Sequence, residues 1–69
     1  MSVNFERADL LGRSADLLGE HEAAAGLLHR AVDGYLQERR PRDAARTREI
    51  LAMTQAKLNQ PGLAAESFL

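Results

Sequence analysis

The chain has no cysteine and no tryptophan, a single tyrosine, and two prolines in 69 residues. Without cysteine, neither disulfides nor thiolate metal sites can brace it. A chain this short buries a limited core, so it relies on tight helix packing or on association. No charge of one sign dominates: the net charge is −1, too small for a strong field toward DNA or an anionic membrane. The longest apolar runs are a few residues, so no segment spans a membrane. The start, Met1 to Glu6, has neither the basic opening nor the apolar core of a signal peptide, and a cytoplasmic location is the expectation. No phosphate loop, nucleophile elbow, paired-carboxylate site or metal motif is present. Ser14, Thr47, Thr54 and Ser67 stand in no catalytic context, so neither an enzyme nor a cofactor is expected.

What is present is Ala and Leu, a third of all residues, a composition that favours helix. Eight Arg against one Lys point to a GC-rich, bacterial source. Asn4 is a candidate N-cap, with Glu6 in the first turn where negative charge suits the helix dipole. Phe5, Ala8, Leu11, Ala15 and Leu18 then fall at helical spacing, widened by Leu10 and Leu17, and predict helix A over about 4–18. Gly19 can take the left-handed conformation that ends a helix. Ala24, Leu27, Leu28, Ala31, Val32, Tyr35 and Leu36 carry helix B over about 21–39, with Gly34 as an internal weak point. Pro41 ends that helix and opens helix C, about 42–58, whose apolar side is Ala45, Ile50, Leu51, Met53, Thr54 and Leu58. Asn59-Gln60-Pro61-Gly62 is a turn, leaving 61–69 for a short helix D. The expectation is one all-α domain of antiparallel hairpins, three full helices plus a short fourth.

One pattern occurs twice, 40 residues apart. Leu11-Gly12, Leu18-Gly19, Ala24, Leu28 and Ala31 are answered by Leu51-Ala52, Leu58-Asn59, Ala64 and Phe68. The pairs Asp9/Glu49, Leu10/Ile50, Ser14/Thr54 and Ala25/Ala65 share the register. A small residue after Leu permits close helix approach, and Gly or Asn recurs where a first helix must end. This is the grammar of a helical repeat, whose stacked units usually form surfaces for other proteins. A generic antiparallel bundle is the alternative.

On Leu11, Gly12, Gly19, Ala24, Leu28 and Ala31, and less fully on Leu51, Ala52, Asn59, Ala64 and Phe68, the chain resembles the tetratricopeptide repeat family over roughly 5–69. The family's period is about 34 residues, so the longer spacing places extra residues in helix B and the Arg39-Arg40-Pro41-Arg42 connection. Long-helix variants look similar, such as the vesicle-fusion attachment-protein class and the large bacterial regulators. The aromatics common in the family's first helix are replaced by Ala15 and Gln55. The resemblance implies a groove lined by first helices: Glu6, Asp9, Arg13, Asp16 and Leu17 from helix A, and Arg46, Glu49, Met53, Ala56 and Lys57 from helix C. The helix A side of that groove would be acidic and suit a basic or mixed segment. Chaperone-binding members hold a carboxylate tail with Lys, Asn and Arg. The matching Asp9, Arg13 and Met53 imply no such clamp here.

Other candidates have structural readings. His21 and His29 lack the converging ligands of a metal site. His29 and Asp33, four apart, can meet on one helix face. Six of nine basic residues lie between Arg30 and Arg48, yet no aromatic interleaving supports base stacking, and Asp33, Glu38, Asp43 and Glu49 dilute the charge. A regulator touching nucleic acid through Arg39, Arg40, Arg42, Arg46 and Arg48 is thus the least favoured function, and Tyr35 reads as a core aromatic with its hydroxyl at the rim. The leading expectation is a scaffold-like module that binds another protein or peptide, or packs into a larger repeat array. A homodimerisation domain is the runner-up. The apolar end, Leu63, Phe68 and Leu69, marks a candidate self-association edge, because a helix this short is marginal alone. If Leu28 is core, Leu28→Ala costs about 2–5 kcal/mol, enough to unfold so small a domain. A thermal melt checks this, and a small shift would place Leu28 at the surface.

Overall fold

A computed structural model of the chain describes residues 4–59. It is all-α, as the composition predicts. The elements are α1 (Phe5–Leu17), α2 (His21–Gln37) and α3 (Pro41–Leu58). The expected helix D at 61–69, and with it Leu63, Phe68 and Leu69, lies outside the described residues.

Each boundary has a local cause. The Asn4 side chain accepts a hydrogen bond from the Glu6 amide at 2.8 Å, capping α1. Pro41 is the first residue of α3, where its missing N–H costs nothing. The two turns share one construction. At the end of α1, Glu20 N–H donates to the Ala15 carbonyl and Gly19 N–H to that of Asp16. At the end of α2, Arg40 N–H donates to the Tyr35 carbonyl and Arg39 N–H to that of Leu36. Both are Schellman motifs, which need a left-handed residue between cap and exit. Gly19 supplies it at φ 85°, whereas Arg39 supplies it at φ 57°, a conformation that costs a side chain about 1 kcal/mol. α2 therefore ends before the Arg39 expected within it.

The core differs from the expected stripe on α1. Ala8, Asp9, Gly12 and Ala15 are buried, while Leu10, Leu11, Leu17 and Leu18 face outward. The reason is close approach. A Cβ on Gly12 would sit 2.8 Å from Leu28 Cγ and 3.2 Å from Leu27 Cβ, inside contact distance. Small residues let the α1 and α2 backbones come so near that leucines would not fit between them. Gly34, which the sequence presents as a weak point, is a second seat: a methyl there would overlap the Phe5 side chain. Ala8, Ala31, Val32, Tyr35 and Ala44 form the shared core, with Phe5 and Leu27 packed on it.

On α3 the buried residues are Ala44, Thr47, Leu51 and Thr54, with Ile50 and Leu58 half-buried. Ala45 and Met53, expected on the apolar side, are exposed. Burial thus matches Ala8 with Thr47, Gly12 with Leu51 and Ala15 with Thr54, one residue out of the sequence register. A one-residue offset turns a helix by about 100°. α1 and α3 both pack on α2, one before it and one after it, and each turns a different face to it. Ties at both ends show that α1 and α3 run in the same direction: Glu6 to Arg40 at 3.6 Å, and Asp16 to Lys57 at 3.5 Å.

Glycine substitutions test the close approach. Gly12→Ala is expected to destabilise, because overpacking of about 1–3 kcal/mol exceeds the gain in helix propensity. Gly26, with open space around its α-carbon, is the control. Gly26→Ala is expected to stabilise by about 1 kcal/mol in urea unfolding. Two equal stabilisations would show that α1 and α2 are further apart.

Candidate interaction surface

α1 carries two carboxylates seven residues apart, Asp9 and Asp16, and both are engaged within the molecule. Asp9 is buried, 8% exposed, and accepts from the Tyr35 hydroxyl at 2.7 Å and from Arg13 Nε at 2.9 Å. A buried carboxylate needs such donors, because desolvation penalises an unpaired charge. Around this pair, Phe5 and Tyr35 meet edge to face, 5.0 Å between centroids. The Arg40 guanidinium lies 5.1 Å from the Tyr35 ring centroid and donates to Asp43 at 2.8 Å. That hydrogen bond is the main reason Arg40 is held above its ordinary value. Burial, then the Asp9 hydrogen bond and charge, push the Tyr35 phenol from 10.0 up to about 12.

Asp16 makes the second clasp. His21 Nδ1 lies 2.8 Å from one carboxylate oxygen and Lys57 Nζ 3.5 Å from the other. Burial alone would raise the Asp16 carboxyl. The His21 hydrogen bond, the neighbouring Thr54 hydroxyl and the Lys57 charge outweigh it and hold the group below its ordinary 3.8. The Thr54 hydroxyl is fully buried and meets no acceptor in good hydrogen-bond geometry, so its help to Asp16 is electrostatic proximity. One carboxylate thus ties the end of α1 to the start of α2 and the end of α3.

These pairings correct the expected groove. Asp9 does not line an open face, and Asp16 is half-buried and neutralised, so the helix A side is not acidic. Glu6 is exposed but tied to Arg40. Arg13 is half-buried beside Asp9, and Lys57 is exposed beside Asp16. Leu17, Arg46, Glu49, Met53 and Ala56 are exposed. His29 and Asp33 approach to 3.5 Å on the outer face of α2, both well exposed. No group of three or more metal-ligating side chains converges among the described residues. Arg39, Arg42, Arg46 and Arg48 are exposed, whereas Arg40, the middle of the cluster, is committed to Asp43, Glu6 and two aromatic rings.

The surface that stands out is apolar. Leu10, Leu11, Leu17 and Leu18 are 69, 51, 88 and 77% exposed, and Met53 63%. Single exposed apolar residues are ordinary, whereas several close together are not. Four leucines on one 13-residue helix and its cap form such a set. Sequence reasoning missed Leu10, Leu11 and Leu18 as surface residues, because it assigned the largest apolar side chains to the core. The signal available was the Ala8, Gly12, Ala15 series, an alternative inward stripe of small residues.

No protein-family model, no curated protein and no solved structure matches the chain. No helix among the described residues is long and apolar enough to cross a membrane.

The Tyr35–Asp9 pair has a clean readout, since Tyr35 is the only tyrosine and tryptophan is absent. A raised folded value means that the folded state holds the phenol proton more tightly. Stability from this group is intact below pH 10 and falls as pH climbs from 10 toward 12. Near-ultraviolet phenolate absorbance is expected to titrate with a midpoint about 12 in the folded chain and near 10 in denaturant. A folded-state midpoint near 10 would show a solvated phenol and no bond to Asp9.

Proposed function

We propose that the chain is a non-enzymatic protein-interaction module of the tetratricopeptide type. It binds a helix or peptide along the face shared by α1 and α3, or packs into a larger helical assembly through its open edges. A cytoplasmic scaffold of bacterial origin fits the composition. The observation that carries this reading is the one-residue offset in burial between α1 and α3. In a stack of hairpins a first helix has two neighbours, its own second helix and the helix before it. α3 buries Leu51 against the preceding helix, and the matching Leu11 of α1 is uncovered. α1 buries Gly12 against its own second helix, and the matching Ala52 of α3 is uncovered. Each end of the described unit therefore offers the face that a further helix would use.

A second reading, a small homodimerisation domain, draws support from the four exposed leucines of α1 and its cap. The nucleic-acid reading is weaker, because Arg40 is already paired with Asp43 and Glu6 and the net charge is −1.

The test compares the full chain with a Leu17→Ser, Met53→Ser double variant. Both side chains are exposed, so the melting temperature is expected to hold. A protein partner retained from cells by the parent chain and lost with the variant is the expected outcome. The same proteins retained by both would contradict the assignment of this face.

A further inference from the structure

The outward face of α1 is nearly symmetric about its middle. In Leu10-Leu11-Gly12-Arg13-Ser14-Ala15-Asp16-Leu17-Leu18, two leucine pairs stand equally far from Ser14 on either side. All four leucines and Ser14 are exposed. At about 100° per residue, Ser14 lies on the centre line of the face. Leu10 and Leu17 then form one flank, Leu11 and Leu18 the other. A surface of this kind is self-complementary under a two-fold rotation, which is the requirement of an isologous contact.

We propose that this face is the interface for a second copy of the chain, with the two α1 helices antiparallel and the two-fold axis at Ser14. The arrangement sets Leu10 against Leu17 of the second copy on one flank, and Leu11 against its Leu18 on the other. The small Ser14 side chain permits the helices to approach closely at the crossing. Charge supports the same orientation. Arg7, exposed on the outer face near the start of α1, has no ion pair among the described residues. Nor have Glu20 and Glu22, exposed just past its other end. Antiparallel pairing brings Arg7 of each copy to Glu20 and Glu22 of the other, whereas parallel pairing would set Arg7 beside Arg7. One pair of four-turn helices is a small interface, so the dimer is a weak, concentration-dependent one. This inference rests on the interaction-module reading and names the partner that covers its apolar face.

The experiment uses the full chain and begins with Ser14→Cys. No native cysteine competes, and helices packed about 8–10 Å apart bring residues on the axis within disulfide reach. Mild oxidation is expected to give a covalent dimer quickly at dilute concentration, while Glu49→Cys, exposed on α3, stays monomeric. Sedimentation of the parent chain is expected to show reversible dimerisation. Leu11→Lys with Leu18→Lys raises the midpoint concentration by roughly tenfold or more, with helicity unchanged because both residues are exposed. Arg7→Glu weakens the dimer, and adding Glu20→Arg and Glu22→Arg restores it. A chain that stays monomeric to millimolar concentration overturns the proposal, and so does a dimer indifferent to the leucine and charge changes. A monomer that still loses a protein partner on Leu17→Ser, Met53→Ser substitution overturns the dimer alone and leaves the interaction-module reading standing.

Discussion

Everything in this fold depends on how closely α1 approaches α2. The contact is made by absence: Gly12 leaves room for Leu28, and Gly34 leaves room for Phe5. Ala8, Ala24 and Ala31 continue the same economy of volume, each fully buried. A chain of 69 residues without disulfides cannot compensate for a loose core by enlarging it. It gains instead from backbone proximity, where many short dispersion contacts replace a few large side chains. Leu28, fully buried, is the one large aliphatic among the described residues that this arrangement encloses completely.

The close approach has two consequences. Leucines that would have filled a wider gap are displaced to the outer face of α1, so a helix rich in leucine contributes mainly small residues to the core. Polar groups then do the work of fixing orientation. Asp9 joins α1 to α2 through Tyr35, and Asp16 joins α1 to the following turn and to α3. Buried or half-buried carboxylates contribute little net stability, since desolvation offsets their attraction, but they penalise any register that leaves them without donors. In a core of small, interchangeable alanines that penalty is a source of specificity. The outer surface of α1, freed of structural duty, is left exposed with its leucines.

Much of the fold was legible in the sequence because its signals are local. Asn4, Gly19 and Pro41 act on their own backbone, and the structure uses each where the sequence places it. The 3.6-residue periodicity located three helices. It did not decide which side of α1 faces inward, because two stripes compete there. Ala8, Gly12 and Ala15 fall beside Leu11 and Leu18, and only the tertiary distance to α2 chooses between them. The left-handed Arg39 was hidden for a related reason: nothing in an arginine announces the conformation that the α2 exit imposes. The candidate groove was legible only as positions. Helical phase put Leu17 and Met53 on apolar stripes, and only the family resemblance offered them, with Glu49, as surface positions. That Asp9 and Asp16 are neutralised depends on Tyr35, His21 and Lys57, residues up to 41 positions away, which no local pattern reports.

A double-mutant cycle between Gly12→Ala and Leu28→Val tests the central contact most directly. If Gly12 exists to seat Leu28, the smaller valine makes room for the added methyl. The double variant should then lose less stability than the two single variants together, with a coupling of about 0.5–3 kcal/mol. Strictly additive losses would mean that the two residues do not meet, and that α1 is held to α2 by something other than close approach.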